Sequence, residues 1–196
     1  MKQNTENAIT SVHRLLRSNV RAGDVVIDAT VGNGWDTQLL AECVGHSGMV
    51  YGFDIQQVAL DVARVRLGEG IGNVRLLLAG HETMRQHIEP RHQEAIRAVT
   101  FNLGYLPGGE KELTTKVSTT MAAIRQALEL LMPGGLLTVV CYSHPEGRAE
   151  RESVESYLAE LAQDRFSCLR LQFVNQSGNP PVVFAVYAAS HNGIQA

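Results

Sequence analysis

Five times in the first 165 residues, a short aliphatic and β-branched run gives way to a stretch whose apolar residues recur at helical spacing. The runs are DVVIDA (24–29), GMVYGFD (48–54), NVRLLLA (73–79), AIRAVTFN (95–102) and LLTVVCY (136–142). The helical stretches are 37–44, 58–68, a short polar helix or turn at 81–88, a long helix over 113–132 stopped by the PGG of 133–135, and a charged helix over 146–164. Parallel strands need crossover connections, so this alternation predicts an α/β fold with a doubly wound sheet. FSCLRLQFV (166–174) and VVFAVYA (182–188) follow with no helix between them and should add an antiparallel C-terminal hairpin. The expected sheet is seven-stranded and mostly parallel. A short amphipathic helix over 4–18 precedes it, with Ile9, Val12, Leu15 and Leu16 at helical spacing. No linker, repeat or low-complexity stretch divides residues 1–196, which predicts a single domain with residues 1–20 as an N-terminal helical extension.

Composition excludes more than it identifies. No apolar run approaches the ~20 residues of a transmembrane helix, so no membrane partner is expected. MKQNTENAIT lacks an apolar signal core, and a cytoplasmic location follows as the expectation. Cys43, Cys141 and Cys168 are far apart and form no CxxC pair; they read as reduced core thiols, with no metal site. The net charge of −3 lacks the basic surplus of a dedicated nucleic-acid binder. Local patches remain: His13, Arg14 and Arg17, or Lys111 with Lys116, each of which also reads as a solvated helix face.

The chemistry-bearing residues gather at predicted strand ends. DATVGNGWDT (28–37) leaves the first strand and opens the next helix, where Gly32 and Gly34 allow a tight turn and close approach of a ligand to free helix N–H groups. A dinucleotide site would carry a third glycine where Thr37 stands, and no GxxxxGK[ST] run is present for ATP. Asp54, in YGFDIQ (51–56), ends the second strand where an acid can hold a ribose diol, or can merely cap the next helix. Gly80-His81 ends the third. Three adjacent polar or glycine-bearing tips describe an adenosine pocket framed by Asp28, Thr30, Gly32, Gly34, Thr37, Asp54, Ile55 and His81. With the missing third glycine and the terminal hairpin, they point to S-adenosylmethionine and a layout similar to class I methyltransferases. In the usual first motif of those enzymes a glycine stands where this chain has Thr30, so Asp28 and the GNG pair carry the match.

The fourth strand ends in FNLGYLPGG (101–109). Methyl transfer is an in-line displacement, so the protein must above all place a nucleophile ~3 Å from the methyl carbon. The side-chain carbonyl of Asn102 can take the N–H of an amine and aim its lone pair, and Tyr105 can stack on a flat base. The same peptide also reads as a plain turn, with Asn102 satisfying it and Gly104 supplying a positive φ.

DATVGNGWDT, FDIQ, GHE (80–82), FNLGYLPGGEKELTT (101–115), SHPEG (143–147) and NQSGNPP (175–181) together resemble bacterial tRNA 5-aminomethyl-2-thiouridine methyltransferases, long described as rRNA methylases. The resemblance runs from about residue 4 to 188, and Trp35 departs from it, standing where a small or polar residue is expected. It implies N-methylation of the aminomethyl group of a tRNA wobble uridine, with the anticodon loop as partner and S-adenosylmethionine as cofactor. It further implies that Asn33, Asp36, Asp54, Gln56 and His81 contact the cofactor, while Asn102, Tyr105 and the loop bearing Leu103, Gly104, Pro107, Gly108 and Gly109 face the nucleoside.

His144 and Pro145, in SHPEG, lie just after the fifth strand. His144 reads as a general base for the alkylammonium, as a helix cap, or as a phosphate contact. Asn175 and Asn179 either reach the pocket or serve the turn. A chain without a separate RNA-binding domain would gain RNA surface as a homodimer. The competing expectations are a methyltransferase of rRNA or of a small-molecule amine and, from another class, a non-catalytic nucleotide-binding regulatory protein.

Overall fold

Val25–Asp28 (β1) runs between two parallel neighbours, Met49–Asp54 (β2) and Ile96–Asn102 (β4), and this central position fixes where a ligand can enter. The computed structural model describes residues 6–68, 72–104, 115–142 and 145–190, with the main chain alone at 145 and 146. Val74–Leu78 (β3), Leu131–Cys141 (β5), Phe166–Leu171 (β6) and Val182–Ala188 (β7) complete one seven-stranded sheet in the order β3-β2-β1-β4-β5-β7-β6. β7 pairs antiparallel with both β5 and β6; the other pairings are parallel. The doubly wound, mostly parallel sheet with its antiparallel C-terminal hairpin is therefore as expected. The order reverses direction between β1 and β4, which is where such sheets open a crevice at their carboxyl edge.

Helices Ala8–Asn19 (α1), Trp35–Val44 (α2), Gln57–Leu67 (α3), Met84–His87 (α4), Val117–Leu130 (α5) and Pro145–Ala159 (α6) cover the two faces. α1 starts at Asn7, whose side chain accepts from the Thr10 N–H while the Thr10 hydroxyl accepts from the Asn7 N–H. Its Val12 and Leu16 are buried with Leu40, Val26 and Val140, so the N-terminal helix is part of the core on the α1/α2 face. The opposite face packs Ile27, Phe53, Phe101 and Leu103 against Met121, Ile124 and Leu128 of α5 and Val154 and Leu158 of α6.

Four expectations are corrected. The long helix ends at Leu130, and the PGG run lies inside β5, which begins at Leu131 rather than 136. Pro133 cannot donate to a ladder and Gly134 takes a φ of +75°; they fall where the β4–β5 register jumps from Ile96↔Leu131 to Ala98↔Leu136. β6 stops at Leu171 instead of 174, because it is an edge strand with little to bury. Of the three cysteines only Cys141 is buried; Cys43 is half-buried and Cys168 is exposed on that edge. Finally, His13, Arg14 and Arg17 are not a free basic patch: they face Asp36, Glu6 and Glu42.

Candidate active site

The crevice is built from the ends of β1, β2 and β4. Asp28 closes β1 fully buried, accepting from the Thr37 hydroxyl (2.6 Å) and the Thr30 N–H (3.1 Å). Thr37 thus has a defined use in place of a third glycine. Thr30, which replaces the usual first glycine, accepts the main-chain N–H of Asn102 on its hydroxyl at 2.7 Å. The β1 and β4 tips are joined by a bond no glycine could make.

Asp54 closes β2 and holds the glycine turn from below. One carboxylate oxygen accepts from the Gly32 N–H (2.9 Å) and the other from the Gln56 N–H (2.8 Å), which leaves further lone pairs on each for a diol. Gly34 is the N-cap of α2 with a φ of +79°, and a Cβ there would lie 2.8 Å from the Cβ of Ala63 in α3. Only glycine lets the two helices approach this closely. Trp35, at 60% exposure, carries the Arg66 guanidinium 3.2 Å above its ring, and Arg66 Nε donates to the Asn33 carbonyl at 2.6 Å. The unexpected tryptophan therefore braces the outside of the turn. Ile55 is exposed beside Asp54. His81 is buried beneath β1, its Nδ1 3.1 Å from the Ala29 carbonyl and its ring edge-on to Phe101. A carbonyl only accepts, so Nδ1 carries the hydrogen; burial lowers the His81 pKa, and Nε2 remains as an acceptor.

Electrostatically the crevice is acidic. Burial, with the Asp36 charge next in size, pushes the Asp28 carboxyl up to about 7. Asp36, in the first turn of α2, lies 2.6 Å from His13 Nε2 of α1; a carboxylate cannot donate, so Nε2 does. This stack of carboxyls suits a cationic ligand.

Asn102 ends β4 as expected, half-buried, and its side-chain oxygen Oδ1 is buried without a hydrogen-bond partner. Leu103 follows with its side chain in the core and its N–H donating to Val140, so only its main chain is available to a substrate. Gly104 takes a φ of +145° and is clasped to Thr115: its N–H reaches the Thr115 hydroxyl (3.1 Å) and its carbonyl accepts the Thr115 N–H (3.1 Å). The Thr115 hydroxyl in turn donates to Glu150 of α6, a buried carboxylate that also takes the Thr120 hydroxyl. Tyr105, Pro107, Gly108, Gly109 and His144 lie outside the described residues, as does the side chain of Pro145. Asn175 and Asn179 are exposed, Asn179 with a left-handed φ of +55°, in the connection leading to Val182, which pairs with Cys141 at the same edge.

Two contributors were not foreseen from sequence. Glu150 looked like one charge among many on the last helix. Tyr142, just past β5, looked like a strand terminus, yet it packs half-buried on the face of the sheet that carries Asn102. For Tyr142 the signal was that β4 and β5, neighbours in the sheet, both exit on polar side chains.

Residues 50–187 match the family described as "Putative rRNA methylase". The chain belongs to that family. Over 190 residues the methyltransferase is 37% identical to the Arabidopsis thaliana protein named tRNA (mnm(5)s(2)U34)-methyltransferase, chloroplastic, with 91% of this chain and 69% of the relative aligned. A Clostridium thermocellum structure described in the same terms as the family superposes with a TM-score of 0.89 at 38% identity, covering 95% of this chain and 100% of that one. A Streptococcus mutans methyltransferase-type structure in complex with SAH gives 0.84 at 34% identity, covering 94% and 99%. The enzyme is thus a class I S-adenosylmethionine-dependent methyltransferase. Among the described residues no group of His, Cys, Asp and Glu forms a metal site, and no helix is long and apolar enough to cross a membrane.

Proposed function

We propose that the enzyme methylates the 5-aminomethyl nitrogen of 5-aminomethyl-2-thiouridine at the tRNA wobble position, giving 5-methylaminomethyl-2-thiouridine, and that it does so as a single-domain protein. The observation that carries this reading is the unpartnered Oδ1 of Asn102 at the β4 tip, beside the crevice. A buried acceptor without a donor costs free energy of about 1–3 kcal/mol, and an amine N–H would relieve it. The named activity of the Arabidopsis relative supports the choice of amine.

S-adenosylmethionine supplies an electrophilic methyl on a sulfonium sulfur. Asp54 would take the ribose hydroxyls, Ile55 and Gln56 would flank the adenine, and His81 would offer Nε2 as an acceptor. The glycine turn with Asn33 would lie along the amino-acid portion, and Asp28 and Asp36 would balance the positive charge. Asn102 would accept one N–H of the neutral amine and leave its lone pair directed at the methyl. Tyr105 is assigned to stack on the uracil and His144 to take the ammonium proton. Gly104, Pro107, Gly108, Gly109 and Pro145 would enclose the nucleoside, with the turn at Asn175 and Asn179 at the rim. A homodimer through the open β6 edge would extend the RNA surface.

The family description names rRNA where the Arabidopsis relative names tRNA. Incubating the purified enzyme with methyl-labelled donor and either tRNA or rRNA from cells lacking the gene separates the two. The proposal expects label in tRNA alone, released on digestion as 5-methylaminomethyl-2-thiouridine. Label confined to rRNA would overturn it.

A further inference from the structure

Among the described residues, every arginine but two meets a carboxylate, a carbonyl oxygen or the face of an aromatic ring. The two are Arg148 and Arg151, three apart and therefore neighbours on the surface of α6. Their place in the fold is set by β5. That strand ends beside the β4 tip, where Val140 pairs with Asn102, and α6 begins shortly after it at Pro145. The first two turns of α6 thus stand at the crevice edge. Glu150, in the second turn, accepts from the Thr115 hydroxyl that clasps Gly104.

The carboxylates of α6 do not cancel this charge. Glu150 faces α5, where the Thr115 and Thr120 hydroxyls donate to it. Glu155, one turn beyond Arg151, is taken by Arg170 of β6 at 3.0 Å. Glu152 is exposed one turn beyond Arg148 and makes no ion pair among the described residues. Arg148 is exposed; Arg151 is half-buried, with its Nε enclosed and without a hydrogen-bond partner. A partly desolvated guanidinium without a counter-ion costs free energy, and an anion offering several acceptor oxygens relieves that cost. The sheet order separates this charge from the acidic part of the crevice. Asp28, Asp36 and Asp54 belong to the β1–β2 side and the arginines to the β5–β7 side, with the Asn102 tip of β4 between them. A nucleoside entering at Asn102 would carry its phosphodiesters past that second side. We propose that Arg148 and Arg151 bind backbone phosphates of the RNA strand whose target nucleoside enters at Asn102. This rests on the RNA-substrate reading above and assigns the strand a side of the crevice.

The test measures the affinity of the full-length protein, with SAH bound, for a tRNA anticodon stem-loop over a series of salt concentrations. Each phosphate contact contributes about 0.7–0.9 to the slope of log affinity against log salt. The double variant Arg148→Gln, Arg151→Gln should lower that slope by about 1.5, while affinity for S-adenosylmethionine holds. Arg148→Lys with Arg151→Lys keeps both charges and should keep the slope. Arg17→Gln, whose arginine faces Glu42 on α2, should leave it as in the parent. An unchanged slope in the glutamine variant, or a loss that the lysine variant shares, overturns the proposal. Binding by the parent that does not respond to salt also overturns it. If the slope falls as expected but the parent enzyme transfers methyl to rRNA alone, the phosphate contacts stand and the wobble-uridine reading fails.

Discussion

His13 Nε2 and Asp36 Oδ1 are 2.6 Å apart, tying the N-terminal helix to the first turn of the helix that opens the crevice. Asp36 is 8% exposed and close enough to Asp28 to raise its pKa. Removing the donor leaves a nearly buried carboxylate unmatched. His13→Ala should therefore destabilise the protein by about 1–3 kcal/mol in urea titrations. Asp36→Asn should recover part of that loss in the double variant, because the stranded charge is gone. Additive losses would show that the two side chains do not interact.

Asp28 makes stability depend on pH. Its folded pKa is raised from 3.8 to about 7, so its contribution is fully present below about pH 4 and is lost as pH rises toward 7. In that window one proton accounts for a slope of at most about 1.4 kcal/mol per pH unit. Asp28→Asn should remove that component from denaturation curves taken between pH 4 and 8.

In the proposed site the same group would couple to the cofactor. A sulfonium beside Asp28 would favour the ionised carboxyl, so binding would release a proton when the pH is below about 7. Affinity for S-adenosylmethionine should weaken as pH falls from 8 to 6, whereas uncharged-sulfur SAH should change less. Calorimetry in buffers of different ionisation enthalpy measures the released proton directly. Identical pH profiles for the two ligands would remove Asp28 from the charge balance.

Thr115 and Glu150 hold the clasp at Gly104, two residues past Asn102. Thr115→Val breaks the bonds to Gly104 N and to Glu150 together, and should lower kcat while affinity for S-adenosylmethionine, whose proposed contacts lie at other strand tips, holds. Thr115→Ser, which keeps the hydroxyl, should restore turnover. A loss equal in both variants would mean that the threonine methyl, not the clasp, matters.

The strand–helix alternation made the sheet legible because period-2 and period-3.6 patterns are local properties. The places of Asp54, Thr37 and Asn102 in the fold were legible for a related reason: each sits at a strand end or helix start that punctuation residues mark. Thr30 and Glu150 act across the fold. Their partners are 72 and 30 or 35 residues away in sequence, and only the pairing of β1 with β4 and the packing of α5 on α6 bring them together. Pro133-Gly134 misled because a run that stops helices can also be absorbed where a strand's register shifts.

The central claim, that Asn102 holds an aminomethyl nitrogen for methylation, is tested most directly by nucleoside mass spectrometry of tRNA from cells lacking the gene and complemented with either the parent gene or Asn102→Ala. Deletion should leave 5-aminomethyl-2-thiouridine without its methylated product. The parent gene should restore the product, and Asn102→Ala should not, although the variant protein still binds S-adenosylmethionine. An unchanged nucleoside profile on deletion, or full restoration by Asn102→Ala, would contradict it.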